Sequence, residues 1–138
     1  WDSPPAVQVN LPEPYLTQFM FALDSWESIG APRASIVAES ESTVTLGNPT
    51  GERYGEATVV HNESIIEADI VFAATVDGLS CYEEYGFTKI ALHELGHFYG
   101  LAAHSTNPDS IMFAESRACE TDIGFAAEDV AAIRELYR

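Results

Sequence analysis

Three of the four histidines in this chain of 138 residues fall in one stretch, His93-Glu94-Leu95-Gly96-His97-Phe98-Tyr99-Gly100-Leu101-Ala102-Ala103-His104. Apolar positions at Ile90, Leu92, Leu95 and Phe98 recur at helical spacing up to Gly100, which puts the first two histidines on one helix. Being four residues apart, they leave the same face. His104 would lie roughly 10 Å further along a continuous helix, too far to meet them. The helix must therefore end, and Gly100 is placed to end it, because glycine accepts the left-handed conformation that turns a chain back. Any fold for this chain has to stop a helix there and return a loop across its end.

Two imidazoles on one helical face can bind one zinc ion at about 2.0–2.1 Å, and a third imidazole plus water completes a catalytic tetrahedron. Glu94, beside the pair without being a ligand, can take a proton from a water that the metal has acidified. The competing reading makes His93 and His97 ordinary core histidines. Should the turn fail to bring His104 round, Asp109 is the fallback oxygen ligand. The chain shows no nucleophile-elbow string, no phosphate-cradling or dinucleotide glycine loop and no EF-hand run of acids. Calcium is compatible with the acidity but has no placed site.

Length and composition bound the rest. A chain of this size supports one domain with a single core. Six basic against 22 acidic side chains give a formal net charge of −16, so nucleic acid and anionic membrane surfaces are excluded as partners. The most apolar run, residues 70–76, is far too short to span a bilayer. The chain opens at Trp1 with no leader, which reads as a mature or trimmed piece of a longer precursor. Its acidic, lysine-poor surface suggests an extracellular protein, expected to be a monomer. Cys81 and Cys119 fit neither a redox pair nor a zinc knuckle; they form one disulfide or remain two buried thiols.

The predicted order is a strand at Val7–Asn10, a helix over 13–29 stopped by Gly30, strands near 34–38, 43–46, 57–61 and 65–74, a helix over 87–99 and a last helix over 127–137. Asn62-Glu63-Ser64 matches a glycosylation sequon and is read as an ordinary loop.

The histidine string, followed by Ser110-Ile111-Met112-Phe113, resembles the metzincin zinc endopeptidases, whose pattern is HExxHxxGxxH and then a methionine turn. Within them the chain is most similar to the matrixins, through 68–72 (Ala-Asp-Ile-Val-Phe), His104-Ser105, the methionine turn and the run Asp129 to Tyr137. The resemblance implies an α+β metzincin-like fold: a twisted mixed sheet with an N-terminal helix and an active-site helix in residues 1–100, and a lower subdomain over 101–138. It also implies a zinc-dependent endopeptidase acting on protein or peptide substrates. His93, His97 and His104 would bind one zinc, Glu94 would serve as general base and acid, and Met112 would be an apolar base beneath the metal. A zinc-binding module without catalysis is the alternative.

The family lays its substrate antiparallel to an edge strand, expected here at 69–74. The segment 113–121 would wall the pocket for the side chain after the scissile bond, with Lys89 and Phe113 as candidate lining residues. Lys89, one turn before His93, would favour acidic or polar side chains there, unless it pairs with Glu83 or Glu84. Two departures stand out: three residues, not two, separate Gly100 from His104, and His61 alone remains of the histidines that bind a second, structural zinc. That second zinc is not expected, and His61 reads as a strand-end or surface residue.

Overall fold

The computed structural model describes residues 1–50, 54–76, 81–115, 121 and 123–138. Strand β1 (Ala6–Asn10) leads into α1 (Tyr15–Ile29), then β2 (Ser35–Ile36), β3 (Thr43–Gly47), β4 (Gly55–His61) and β5 (Ile65–Ala73), and finally α2 (Phe87–Phe98) and α3 (Ala127–Leu136). The five strands form one mixed sheet in the order β2-β1-β3-β5-β4. Only β4 runs antiparallel to its neighbour.

Alternation decides which face of the sheet is covered. In β5, Ala68, Ile70 and Phe72 are fully buried while the residues between them are not, the period of two that sends successive side chains to opposite faces. Helix α1 buries Phe19, Ala22, Leu23 and Trp26, the three-and-four spacing of an amphipathic helix. Phe87, at the start of α2, brings the layers together: its ring lies 4.6 Å from that of Phe72 and 4.9 Å from that of Tyr15. Such aromatic pairs add about 0.5–1.5 kcal/mol each beyond the area they bury. The Gln18 side chain accepts from Thr88 N at 3.1 Å and donates to Glu83 O at 2.7 Å, tying α1 to the approach to α2. That approach is one wide π turn, Tyr82–Gly86, which continues directly into α2.

Sequence and structure differ at the edge of the sheet. The stretch 69–74, expected to be the edge strand, belongs to β5, which is flanked by β3 and β4. The short Asn62–Ser64 turn, with Asn62 N donating to Ser64 O at 3.0 Å, folds β4 back as a hairpin partner and leaves it on the outside. β5 carries the fully buried alternate positions and needs a neighbour on both sides; β4, with no residue but Gly55 fully buried, does not. The Cys81–Cys119 pairing involves Cys119, which lies outside the described residues, as do residues 116–120 of the expected pocket wall.

Candidate metal centre

Helix α2 ends as its glycine requires. Gly100 has φ +98°, Gly100 N donates to His97 O at 2.8 Å, and Leu101 N donates to Gly96 O at 2.9 Å. These paired bonds are the Schellman motif, with the left-handed residue just past the helix. The chain then reverses, and the residue in excess of the family spacing is taken up on the surface, where Ala102 and Ala103 are exposed.

The reversal brings the three histidines to one point. His104 Nε2 lies 3.2 Å from His93 Nε2 and 3.3 Å from His97 Nε2. The opposite ring nitrogens are already used: His93 Nδ1 donates to Ile111 O at 2.8 Å and His97 Nδ1 to Leu101 O at 2.7 Å. Carbonyl oxygens only accept, so in the neutral rings the hydrogen sits on Nδ1 and each Nε2 presents a bare lone pair. Burial pushes the His93 imidazole down to about 4, against the pull of the Ile111 carbonyl and with help from His97 and His104. Burial likewise lowers His97. Two bare lone pairs thus meet the third imidazole at one point, a donor set suited to a cation. Tetrahedral ligands at about 2.0–2.1 Å from one ion lie about 3.3–3.4 Å apart, close to the 3.2 and 3.3 Å found here, and the carbonyl partners are those that orient metal-binding imidazoles. The three residues therefore fit zinc.

Glu94 is buried at 7% exposure and faces β4: a Cβ on Gly55 would stand 2.8 Å from Glu94 Cγ and 3.0 Å from its Oε1. A glycine at the head of the edge strand is what lets α2 carry a carboxylate so close to it. On the other side of α2, a Cβ at Gly96 would stand 2.2 Å from Met112 Sδ and 3.1 Å from Trp26 Cζ2. Met112, buried at 3%, thus lies against the helix between its two histidines. Trp26 fixes the helix from behind, donating Nε1 to Leu92 O at 2.8 Å.

The segment carrying Met112 is held by a residue to which the sequence reading gave no role. Asp129, in the first turn of α3 and 3% exposed, accepts from Ser110 Oγ at 2.6 Å, Ile111 N at 3.0 Å and Ala126 N at 2.8 Å. Through Ile111 it reaches His93. An acid at the third position of a helix is a recognisable capping signal, although its service to a remote loop is not.

A cavity of about 1110 Å³ opens over the histidines, lined among others by Tyr54, Gly55, Glu94, Lys89 and Phe113. Both predicted pocket residues thus border the same space as the histidines. His61 ends β4, exposed, at the rim. Asp109 does not join the cluster: its N donates to Asn107 Oδ1, and among the described residues the possible metal group is His93, His97 and His104.

The matrixin family matches the sequence over residues 21–138. The chain is a matrixin. The matched span contains all three histidines, the turn with Met112 and α3, and the mixed α/β architecture agrees with the metzincin-like α+β fold. No curated protein matches this matrixin significantly. Matrixins are zinc metallopeptidases, typically secreted, and act on peptide bonds. No helix among the described residues is long and apolar enough to cross a membrane.

Proposed function

We propose that this matrixin is a zinc-dependent endopeptidase in which His93, His97 and His104 hold the metal and Glu94 moves the proton. The observation that supports it most is the meeting of three Nε2 atoms, two of them bare because their rings donate through Nδ1 to carbonyls. A bound zinc ion supplies Lewis-acid polarisation of a peptide carbonyl and acidifies water. The chain's own residues do the rest. The carboxylate of Glu94 takes a proton from the attacking water, whose oxygen bonds to the carbonyl carbon, and delivers it to the amine nitrogen as the C–N bond breaks. Its buried place against Gly55 restricts where that carboxylate points. β4, the outer strand of the sheet among the described residues, borders the cavity and would seat an extended peptide along its wall, antiparallel as the family lays its substrate. Met112 supplies an apolar floor, and Lys89 and Phe113 shape the pocket for the side chain after the cut. We read the protein as extracellular and monomeric.

The test is zinc content and cleavage of a mixed peptide library by wild type and Glu94→Ala. One zinc per chain in both, with cleavage falling by at least about 10²-fold in the variant, is the expected result. Wild-type cut sites should show acidic or polar residues after the scissile bond, as Lys89 would favour. Zinc without any wild-type cleavage would leave a binding module instead.

A further inference from the structure

His104 is held differently from its two partners. His93 and His97 stand on α2 and each donates Nδ1 to a carbonyl. Among the described residues, the His104 ring meets only those two histidines, and it is exposed on an irregular segment. With no carbonyl fixing the ring, its place depends on the backbone that carries it.

The first grip on that backbone is the next residue. Ser105 N donates to Met112 O at 2.8 Å, and Ser105 pairs with Phe113 in an isolated parallel bridge. The Ser105 hydroxyl donates to Glu128 Oε1 and accepts from Asn107 N at 2.9 Å, while Asn107 Nδ2 donates to Glu128 Oε2 at 3.3 Å. Both oxygens of one carboxylate are thus spent on the loop that follows His104. Hydrogen bonds from Ser105 and Asn107 hold the Glu128 carboxyl below its ordinary range, as expected of a carboxylate whose charged form is the acceptor. Glu128 and Asp129 are neighbours on α3, and they divide the work: Asp129 steadies the loop behind His93, and Glu128 steadies the loop behind His104.

The geometry points to Glu128 as a positioning residue for the third histidine, acting through Ser105. This rests on the metal-site reading above. An acid in the first turn of a helix also favours that helix through its dipole, so a change in melting temperature alone would decide nothing. The deciding readouts are zinc affinity by chelator competition and the visible spectrum of the cobalt-substituted protein, for wild type, Glu128→Ala, Glu128→Gln, Ser105→Ala and the Glu128→Ala/Ser105→Ala double variant.

Glu128→Ala should bind zinc about tenfold more weakly, at the low end of what outer partners of metal ligands contribute, and should alter the cobalt spectrum. Glu128→Gln keeps an acceptor for Ser105 and should recover most of the affinity. Ser105→Ala should lose about as much as Glu128→Ala, and the double variant clearly less than the sum of the two, because they share the Ser105–Glu128 contact. Affinity within about twofold of wild type with an unchanged spectrum, or losses that add in the double variant, would overturn the role. Wild type that binds zinc but cuts nothing sinks the endopeptidase reading and leaves Glu128 standing. Wild type that cuts, with Glu128→Ala binding zinc normally, sinks Glu128 alone.

Discussion

The two halves of the histidine cluster are built on opposite principles. His93 and His97 are placed by the pitch of a helix whose back is fixed by Trp26 and Met112, so their relation to one another follows from spacing alone. His104 is placed by a turn, a loop and the first turn of a helix that begins more than twenty residues later. A local rule delivers two of the three nitrogens, and tertiary structure delivers the third. The comparison also has a crossing point: His93 sits on the helix, yet its Nδ1 partner is a carbonyl of the loop.

The sharpest way to break the comparison is to attack that crossing point. Asp129→Ala leaves Ser110 Oγ, Ile111 N and Ala126 N without their common buried acceptor. Hydrogen bonds to charged groups contribute about 1.5–3 kcal/mol each, and orphaned buried donors add to the cost, so a loss of about 4 kcal/mol is expected after partial relaxation. Urea unfolding measures it. Zinc affinity should fall as well, because Ile111 O would no longer be held against His93. A variant destabilised by less than about 1 kcal/mol would mean that the loop is held by something other than Asp129.

A change of pH sharpens the comparison by acting on the buried half. Burial, the leading cause, takes His93 down to about 4 from an ordinary 6.5 and lowers His97 in the same direction. Below pH 6.5 the unfolded chain binds protons that the folded chain refuses. The stability contributed by these neutral rings is therefore complete above about 6.5 and is lost as the pH falls towards 4, by on the order of 3 kcal/mol for His93. In zinc-stripped protein, His93→Gln should flatten the decline between those values. His104→Gln should leave most of it, since burial on α2 is untouched. A wild type equally stable at pH 4.5 and 7 would refute the account.

The same division explains what could be read from the sequence. Helix α2, its stop at Gly100 and the shared face of His93 and His97 are local consequences of periodicity and of one permissive residue, and they were legible. So were Gly30 as the end of α1 and the strand over 65–74, found as β5. The edge strand was not, because β4 and β5 both read as strands and only the hairpin pairing decides which lies outside. Nor was Asp129 legible as a support for His93, since its partners lie 18 and 19 residues away and no period links them. Gly55 and Gly96 matter for what stands opposite a missing Cβ, which belongs to packing between elements and leaves no mark in the sequence.

The smallest expected effect tests the hinge between the two halves. At Gly100, φ is +98°, and an alanine there would carry its Cβ to 3.2 Å from Ile65 Cδ1, the movable end of a side chain. Space is therefore not the obstacle; the backbone is. Holding an L-residue in that region costs about 1–2 kcal/mol, which thermal unfolding of Gly100→Ala should show. The chain can meet the cost in two ways. If the turn holds its shape, through Leu101 N on Gly96 O and Leu101 O on His97 Nδ1, stability falls while zinc affinity stays near wild type. If the turn instead relaxes to a negative φ, Leu101 and the residues after it are redirected, His97 loses its carbonyl and His104 no longer meets the pair, so zinc affinity falls more than stability does. The Ser105 clamp favours the first outcome, because a loop gripped by Met112 O and Glu128 resists being carried away by its start. Combining Gly100→Ala with Ser105→Ala should then lower zinc affinity beyond the loss that Ser105→Ala causes alone, and that excess would show that the third histidine is held from downstream of the turn and not from the helix before it.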